Sequence, residues 1–107
     1  MVRGDLITVA LPGDIGKPRP AVVMQSDDYA GTASVFVIPL TSLILDADAF
    51  RLTITPSPTN GLRVVSQAMI DKLSPARRDR CGEVIGRLLE HEMEALTVRL
   101  VALLGAG

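Results

Sequence analysis

Four short stretches of the chain carry residue types able to act on a substrate. The first is Lys17-Pro18-Arg19-Pro20. Each proline disfavours the helical region for the residue before it, so Lys17 and Arg19 are both biased to an extended backbone, and each proline holds its own φ. Arg19 is therefore a guanidinium on a stiffened segment, suited to meeting a phosphate whose charge grows during reaction; the competing reading is a rigid surface loop that carries an arginine. Thr41-Ser42, at the end of an apolar run, offers two hydroxyls that either donate to phosphate oxygens or satisfy a strand end. Asp71-Lys72 reads as an acid–base pair or as an exposed ion pair of little energetic weight. Arg77-Arg78-Asp79-Arg80 is a cationic cluster that either binds or is simply solvated.

Other chemistries lack their parts. His91 is the sole histidine, and it falls on the exposed side of the C-terminal segment beside Glu90, Glu92 and Glu94, which excludes a Ser-His-Asp triad or a paired-histidine nuclease. Asp46 and Asp48 read as a solvated loop, and no Cys, His or carboxylate spacing suits a metal. No glycine-rich loop precedes a helix, so a nucleotide cofactor has no cradle. Cys81 between Arg80 and Gly82 is either a low-pKa thiol or, with no base beside it, a small core residue. No cofactor and no metal are expected.

The elements that must position these groups are mainly β. Leu6–Leu11 is apolar on one face and nearly so on the other; Pro12-Gly13-Asp14 breaks it, and a loop with Gly16, Pro18 and Pro20 follows. Ala21–Gln25 and Val35–Ile38 read as further strands, with Pro39 marking an edge or a terminus. Phe50–Thr55 alternates cleanly, which predicts Phe50, Leu52 and Ile54 inward and Arg51, Thr53 and Thr55 outward. Leu62–Ile70, after Asn60-Gly61, reads as another strand. Ser74-Pro75 has the form of an N-cap and first helical residue, with Gly82 ending that helix, and Val84-Ile85-Gly86 reads as a last strand. Leu89, Met93, Leu96, Leu100, Leu103 and Leu104 recur at helical spacing and predict an amphipathic helix that Gly105 stops.

Composition bounds the whole. With 107 residues, 48% hydrophobic and 21% charged, residues 1–107 are expected to form one domain rather than a disordered tail. A net charge of −1 excludes nucleic-acid binding by bulk basicity, leaving only a local patch. No apolar run approaches the length of a membrane span, the N-terminus does not read as a secretion signal, and the lone cysteine gives no disulfide. A cytoplasmic protein with no membrane partner is expected. Nine arginines against two lysines are read as coding bias in total, with a functional meaning reserved for individual positions.

Taken in order, the segments resemble the MazF/PemK toxins of bacterial toxin–antitoxin modules. The likeness runs through Arg3-Gly4-Asp5, KPRPAVVMQSD at 17–27, IPLTS at 38–42, NGL at 60–62, Ser66, Asp71-Lys72, IGRL at 85–88 and the leucine-rich tail. It implies a small SH3-like β-barrel of antiparallel strands with a C-terminal α-helix, and a homodimer. It also implies metal-independent, sequence-specific cleavage of single-stranded RNA, with the 2′-hydroxyl as nucleophile and 2′,3′-cyclic phosphate and 5′-hydroxyl ends, held in check by a cognate antitoxin. Carried onto this chain, the resemblance makes Arg19, Thr41 and Asp71 the catalytic candidates, and Lys17, Gln25, Ser42, Arg77 and Arg78 the substrate-binding ones. Where some members carry an Arg-x-Asp pair, this chain has Met69 before Asp71. A gyrase-poisoning toxin of the CcdB type would need a tryptophan near its C-terminus, and this chain has none. A silent SH3-like peptide binder would want a groove rich in aromatics, against 3% here, with Phe36 and Phe50 expected in the core.

Overall fold

In the computed structural model, residues 1–13 and 17–106 are described; Asp14 and Gly16 of the expected loop, and the terminal Gly107, lie outside them. Seven strands precede a single helix: β1 (Asp5–Val9), β2 (Arg19–Val23), β3 (Ser34–Thr41), β4 (Arg51–Ile54), β5 (Ser66–Met69), β6 (Ser74–Arg77), β7 (Cys81–Arg87) and α1 (Glu90–Leu103). They form one antiparallel sheet in the order β4-β5-β3-β2-β1-β7, with β6 on β3. The fold is thus a small β-barrel-like one with a C-terminal helix, and among the described residues no pairing joins the end strands β4 and β7.

The near-complete apolarity of β1 and β2 has a direct cause: both faces of the central strands are covered. Leu6, Val22 and Ile38 face a core completed by Ile54, Ile70 and Leu96, whereas Ile7, Val23 and Val37 face a second core completed by Val35 and Ala76. β3 is the hub. One edge of it carries β2, and the other carries β6 along Ser34–Val37 and then β5 at Leu40 and Thr41. Pro39 falls at the seam between those two partners, which is how a proline sits inside a buried strand without losing a ladder bond.

Four expectations are corrected. Ser74-Pro75 opens β6, not a helix; its pairing with Phe36 and Val37 of β3 overrides the local capping signal, and only a 3-10 turn at Arg78–Arg80 follows. β5 begins at Ser66 rather than Leu62, because only Ser66–Met69 lie between β4 and β3, and Val64 and Val65 are exposed. Arg51 is buried, not outward, since the 42–48 loop covers the face of β4 opposite Leu52 and Ile54. Phe36 (48% exposed) and Phe50 (36%) are not core residues: Phe36 alternates with Val35 and Val37, which take the inward positions, and Phe50 precedes the paired segment of β4.

Helix α1 lies against the first core through Leu96, with Met93 and Leu100 partly buried beside it, while Leu89, Leu103 and Leu104 of the same stripe are exposed. Its first turn is closed by Glu92 Oε1 accepting from Leu89 N (2.8 Å), and Gly105 (φ +71°) ends it. Two arginines fasten it to the rest: Arg3 donates to Thr97 Oγ1 (2.8 Å) and to the Met24 carbonyl, and Arg99 donates to the Asp48 carbonyl (2.9 Å). Among the described residues no helix is long and apolar enough to cross a membrane.

Candidate active site

Strand register brings the first two candidates together. β2 and β3 pair Val23 with Val37 and Ala21 with Pro39; the next step of the same antiparallel register sets Arg19 across from Thr41. Facing residues of an antiparallel pair project to the same side of the sheet. Both line a cleft of about 800 Å³ together with Lys17, Ser42, Thr8 and Arg63.

The cleft is a charged groove on an apolar base. Leu40, Leu62, Val64 and Ile85 supply the apolar lining, Lys17, Arg19 and Arg63 the positive charge, and no carboxylate among the described residues lines it. Arg19 is half-buried, which holds its guanidinium near the cleft instead of in bulk water. Thr41 Oγ1 accepts from Leu43 N (3.1 Å), so its hydroxyl proton is left for a ligand. Ser42 is exposed beside it.

The loop after Thr41 is held from below. Gln67, on β5, accepts from Leu45 N (3.0 Å) and donates to the Leu45 carbonyl (3.0 Å). Buried Arg51 donates to Gln67 Oε1 and to the Leu43 carbonyl, each at 3.3 Å. Opposite, the Asn60-Gly61 segment forms the other wall. Asn60 is buried; its Oδ1 accepts from Ser57 N and Leu62 N, and its Nδ2 donates to the Thr55 carbonyl. Gly61 adopts φ +68°, and a Cβ there would stand 2.1 Å from the Ile85 carbonyl oxygen of β7. Only glycine meets both demands.

The remaining candidates stand elsewhere. Asp71 is exposed in the 3-10 turn Ile70–Lys72 and does not line the cleft, although Lys72 beside it shares a neighbouring hollow with Arg19. Gln25 lies on a different surface, bonded to Tyr29 O (2.9 Å), Thr32 Oγ1 (2.7 Å) and Phe36 N (3.1 Å). Arg78 braces that same loop through the Thr32 carbonyl (2.5 Å). Arg77 is exposed and paired with Asp79 at 2.6 Å. Burial pushes the Cys81 thiol above its ordinary range, with Arg78 opposing and Asp79 adding to the rise; this is the reverse of an activated nucleophile. No three His, Cys, Asp or Glu side chains gather to hold a metal among the described residues. Sequence reasoning missed Arg63 and Thr8 as cleft residues. The signal for Arg63 was its place two residues after an Asn-Gly turn; Thr8 carried none, since it enters only through the pairing of β1.

Two of the motifs prove structural. Asp5 is buried, accepts from Val2 N (2.8 Å) and pairs with Arg87 (2.5 Å), so Arg3-Gly4-Asp5 and IGRL clasp the first strand to the last.

Known proteins resemble the chain over nearly its whole length. The model of a protein family described as PemK-like, MazF-like toxin of type II toxin-antitoxin system matches residues 2–104. A probable endoribonuclease MazF of Mycolicibacterium smegmatis is 42% identical over 106 residues, spanning 98% of this chain and 97% of that protein. Among solved structures, Mycobacterium tuberculosis toxin MazF-mt6 superposes with a TM-score of 0.81 at 19% identity, covering 96% of this chain and 98% of that one. A MazE–MazF complex from Deinococcus radiodurans contains a chain of TM-score 0.79 at 24% identity, covering 100% and 97%.

Proposed function

The chain belongs to the PemK-like, MazF-like toxins of type II toxin–antitoxin systems, and from that premise we propose how its cleft cuts RNA. It is an endoribonuclease, the toxin half of such a module, with a cognate antitoxin as its protein partner. The substrate is single-stranded RNA, cut at a short sequence in the cytoplasm by a homodimer that covers part of the exposed apolar surface.

RNA brings its own nucleophile. The 2′-hydroxyl attacks the adjacent phosphorus: the O2′–P bond forms as the P–O5′ bond breaks, the 2′-hydroxyl loses its proton and O5′ gains one. The products are a 2′,3′-cyclic phosphate and a 5′-hydroxyl, and no water is consumed. Arg19 stabilises the charge that builds on the phosphoryl oxygens and eases departure of O5′. Thr41 donates its hydroxyl proton to a non-bridging oxygen, with Ser42 in support. Lys17 and Arg63 hold flanking phosphates. Asp71, outside the cleft, has no part in this assignment.

The observation that carries the reading is that Arg19 of β2 and Thr41 of β3, on paired strands, line one cleft with three cations and no described carboxylate. The test is cleavage of a defined RNA with the ends mapped. Arg19→Ala lowers kcat by about 10²–10³ while cyclic-phosphate ends persist in the residual product. Undiminished cleavage by Arg19→Ala, or 3′-hydroxyl ends from the native protein, overturns it.

A further inference from the structure

The positive lining continues past Arg19. A second hollow, about 470 Å³, has Arg19 at one side and Lys72 with Pro39 and Pro75 at the other. A third, about 490 Å³, shares Leu11, Pro12 and Pro75 with the second and carries Arg77 and Arg80. Register explains the alignment: Val9, the last residue of β1, pairs with Arg19 on one side and Cys81 on the other, so Arg19 and Arg80 flank the same strand end.

Nine of the eleven cations of the chain divide into two sets. Off this path, Arg3, Arg51, Arg78, Arg87 and Arg99 each donate to a protein acceptor and hold the fold together. On it, Lys17, Arg63, Lys72 and Arg80 have no hydrogen-bond or ion-pair partner among the described residues, whereas Arg77, in the third hollow, pairs with exposed Asp79 at 2.6 Å. Among the described residues, no carboxylate lines any of the three hollows. In a chain of net charge −1, that segregation gives one surface a local positive field the whole molecule lacks.

We propose that the three hollows form one track for the RNA backbone, on which Lys72 and Arg80 bind phosphates beyond the scissile step. This rests on the ribonuclease reading above and adds a subsite to it. A strand whose scissile phosphate meets Arg19 is led straight into the second hollow, because Arg19 belongs to both. Binding along the track is sequence-independent and graded by RNA length, so the cleft chooses the cut and the track sets how strongly long RNA is held.

The test compares native protein with the Lys72→Ala/Arg80→Ala double variant on two RNAs sharing the mapped cut site, one of about six nucleotides and one of about twenty. Both substituted side chains are exposed, and gel filtration and circular dichroism check that assembly and fold are kept. With about 0.7 in log–log salt slope per phosphate contact on single strands, loss of two contacts shrinks the native protein's advantage on the long RNA about 7-fold between 50 and 200 mM salt. The short RNA is cut equally by both proteins. Equal salt slopes on the long RNA overturn the proposal, as does an equal loss on both lengths. So does a variant whose only defect is weaker inhibition by the antitoxin, which would give the track to an acidic peptide. Failure of the native protein to cut either RNA instead sinks the ribonuclease reading itself.

Discussion

Gln67 is the residue whose replacement separates a built cleft from a fortuitous one. It is 4% exposed and makes four hydrogen bonds: with Leu45 N (3.0 Å), the Leu45 carbonyl (3.0 Å), Arg51 Nη1 (3.3 Å) and Thr53 Oγ1 (3.2 Å). Leucine fills similar space and makes none of them. Neutral bonds contribute about 1 kcal/mol each net and one to a guanidinium about 1.5–3 kcal/mol. Water reaches part of the released Leu45 backbone, since that residue is 45% exposed. The expected cost of Gln67→Leu is therefore about 3–4 kcal/mol. A 107-residue chain unfolds with an entropy near 0.22 kcal/mol/K, so Tm falls by about 15 °C. Gln67→Glu keeps the acceptor for Leu45 N–H and gives buried Arg51 a carboxylate. It turns the Nε2 donor into an oxygen that faces the Leu45 carbonyl oxygen, an opposition the charge on Arg51 offsets in part, for a net loss of about 2 kcal/mol and about 9 °C. Differential scanning calorimetry reads both. A Gln67→Leu protein within about 4 °C of native, or a Gln67→Glu protein less stable than Gln67→Leu, refutes the account of how the loop behind Thr41 is held.

Other perturbations test separate parts. Gly61→Ala places a Cβ 2.1 Å from the Ile85 carbonyl oxygen at φ +68° and is expected to cost more than about 3 kcal/mol in urea unfolding. Gly31→Ala, with nothing within 4 Å of the new carbon, is the control and changes stability by less than about 0.5 kcal/mol. Because burial raises the Cys81 thiol above its ordinary 9.0, the thiolate fraction at neutral pH is lower than in a free thiol, and iodoacetamide alkylation keeps accelerating above pH 9.0. A rate that levels off near neutrality contradicts this placement.

The parts of the molecule that were legible in sequence are those governed by neighbours along the chain. Alternating prolines announced an extended Arg19 leading into a buried strand. The leucine spacing of α1 announced a helix, though only Leu96 of the stripe is fully buried. What escaped was set by partners distant in sequence. Arg51 is buried only because a loop beginning nine residues earlier folds over it, and Ser74-Pro75 becomes a strand only because β3 has an unpaired edge to offer. The meeting of Arg19 with Thr41 depends on the β2–β3 register, which no local pattern states. The six-cation path needs four segments at once: the start of β2, the stretch before β5 that carries Arg63, the turn after β5 and the end of β6. In the sequence its members look like scattered charges in an acidic chain.

The order β2-β1-β7 has a consequence for synthesis. β1 is made first, yet one of its two edges waits for residues 81–87, and Ile85 of that late strand is also the wall against which Gly61 closes the cleft. A ribosome-bound chain can therefore hold Arg19 and Thr41 long before it holds a finished groove. The groove is thus finished by the strand that joins the sheet last along the chain, and a change that loosens Cys81–Arg87 opens the wall behind Gly61.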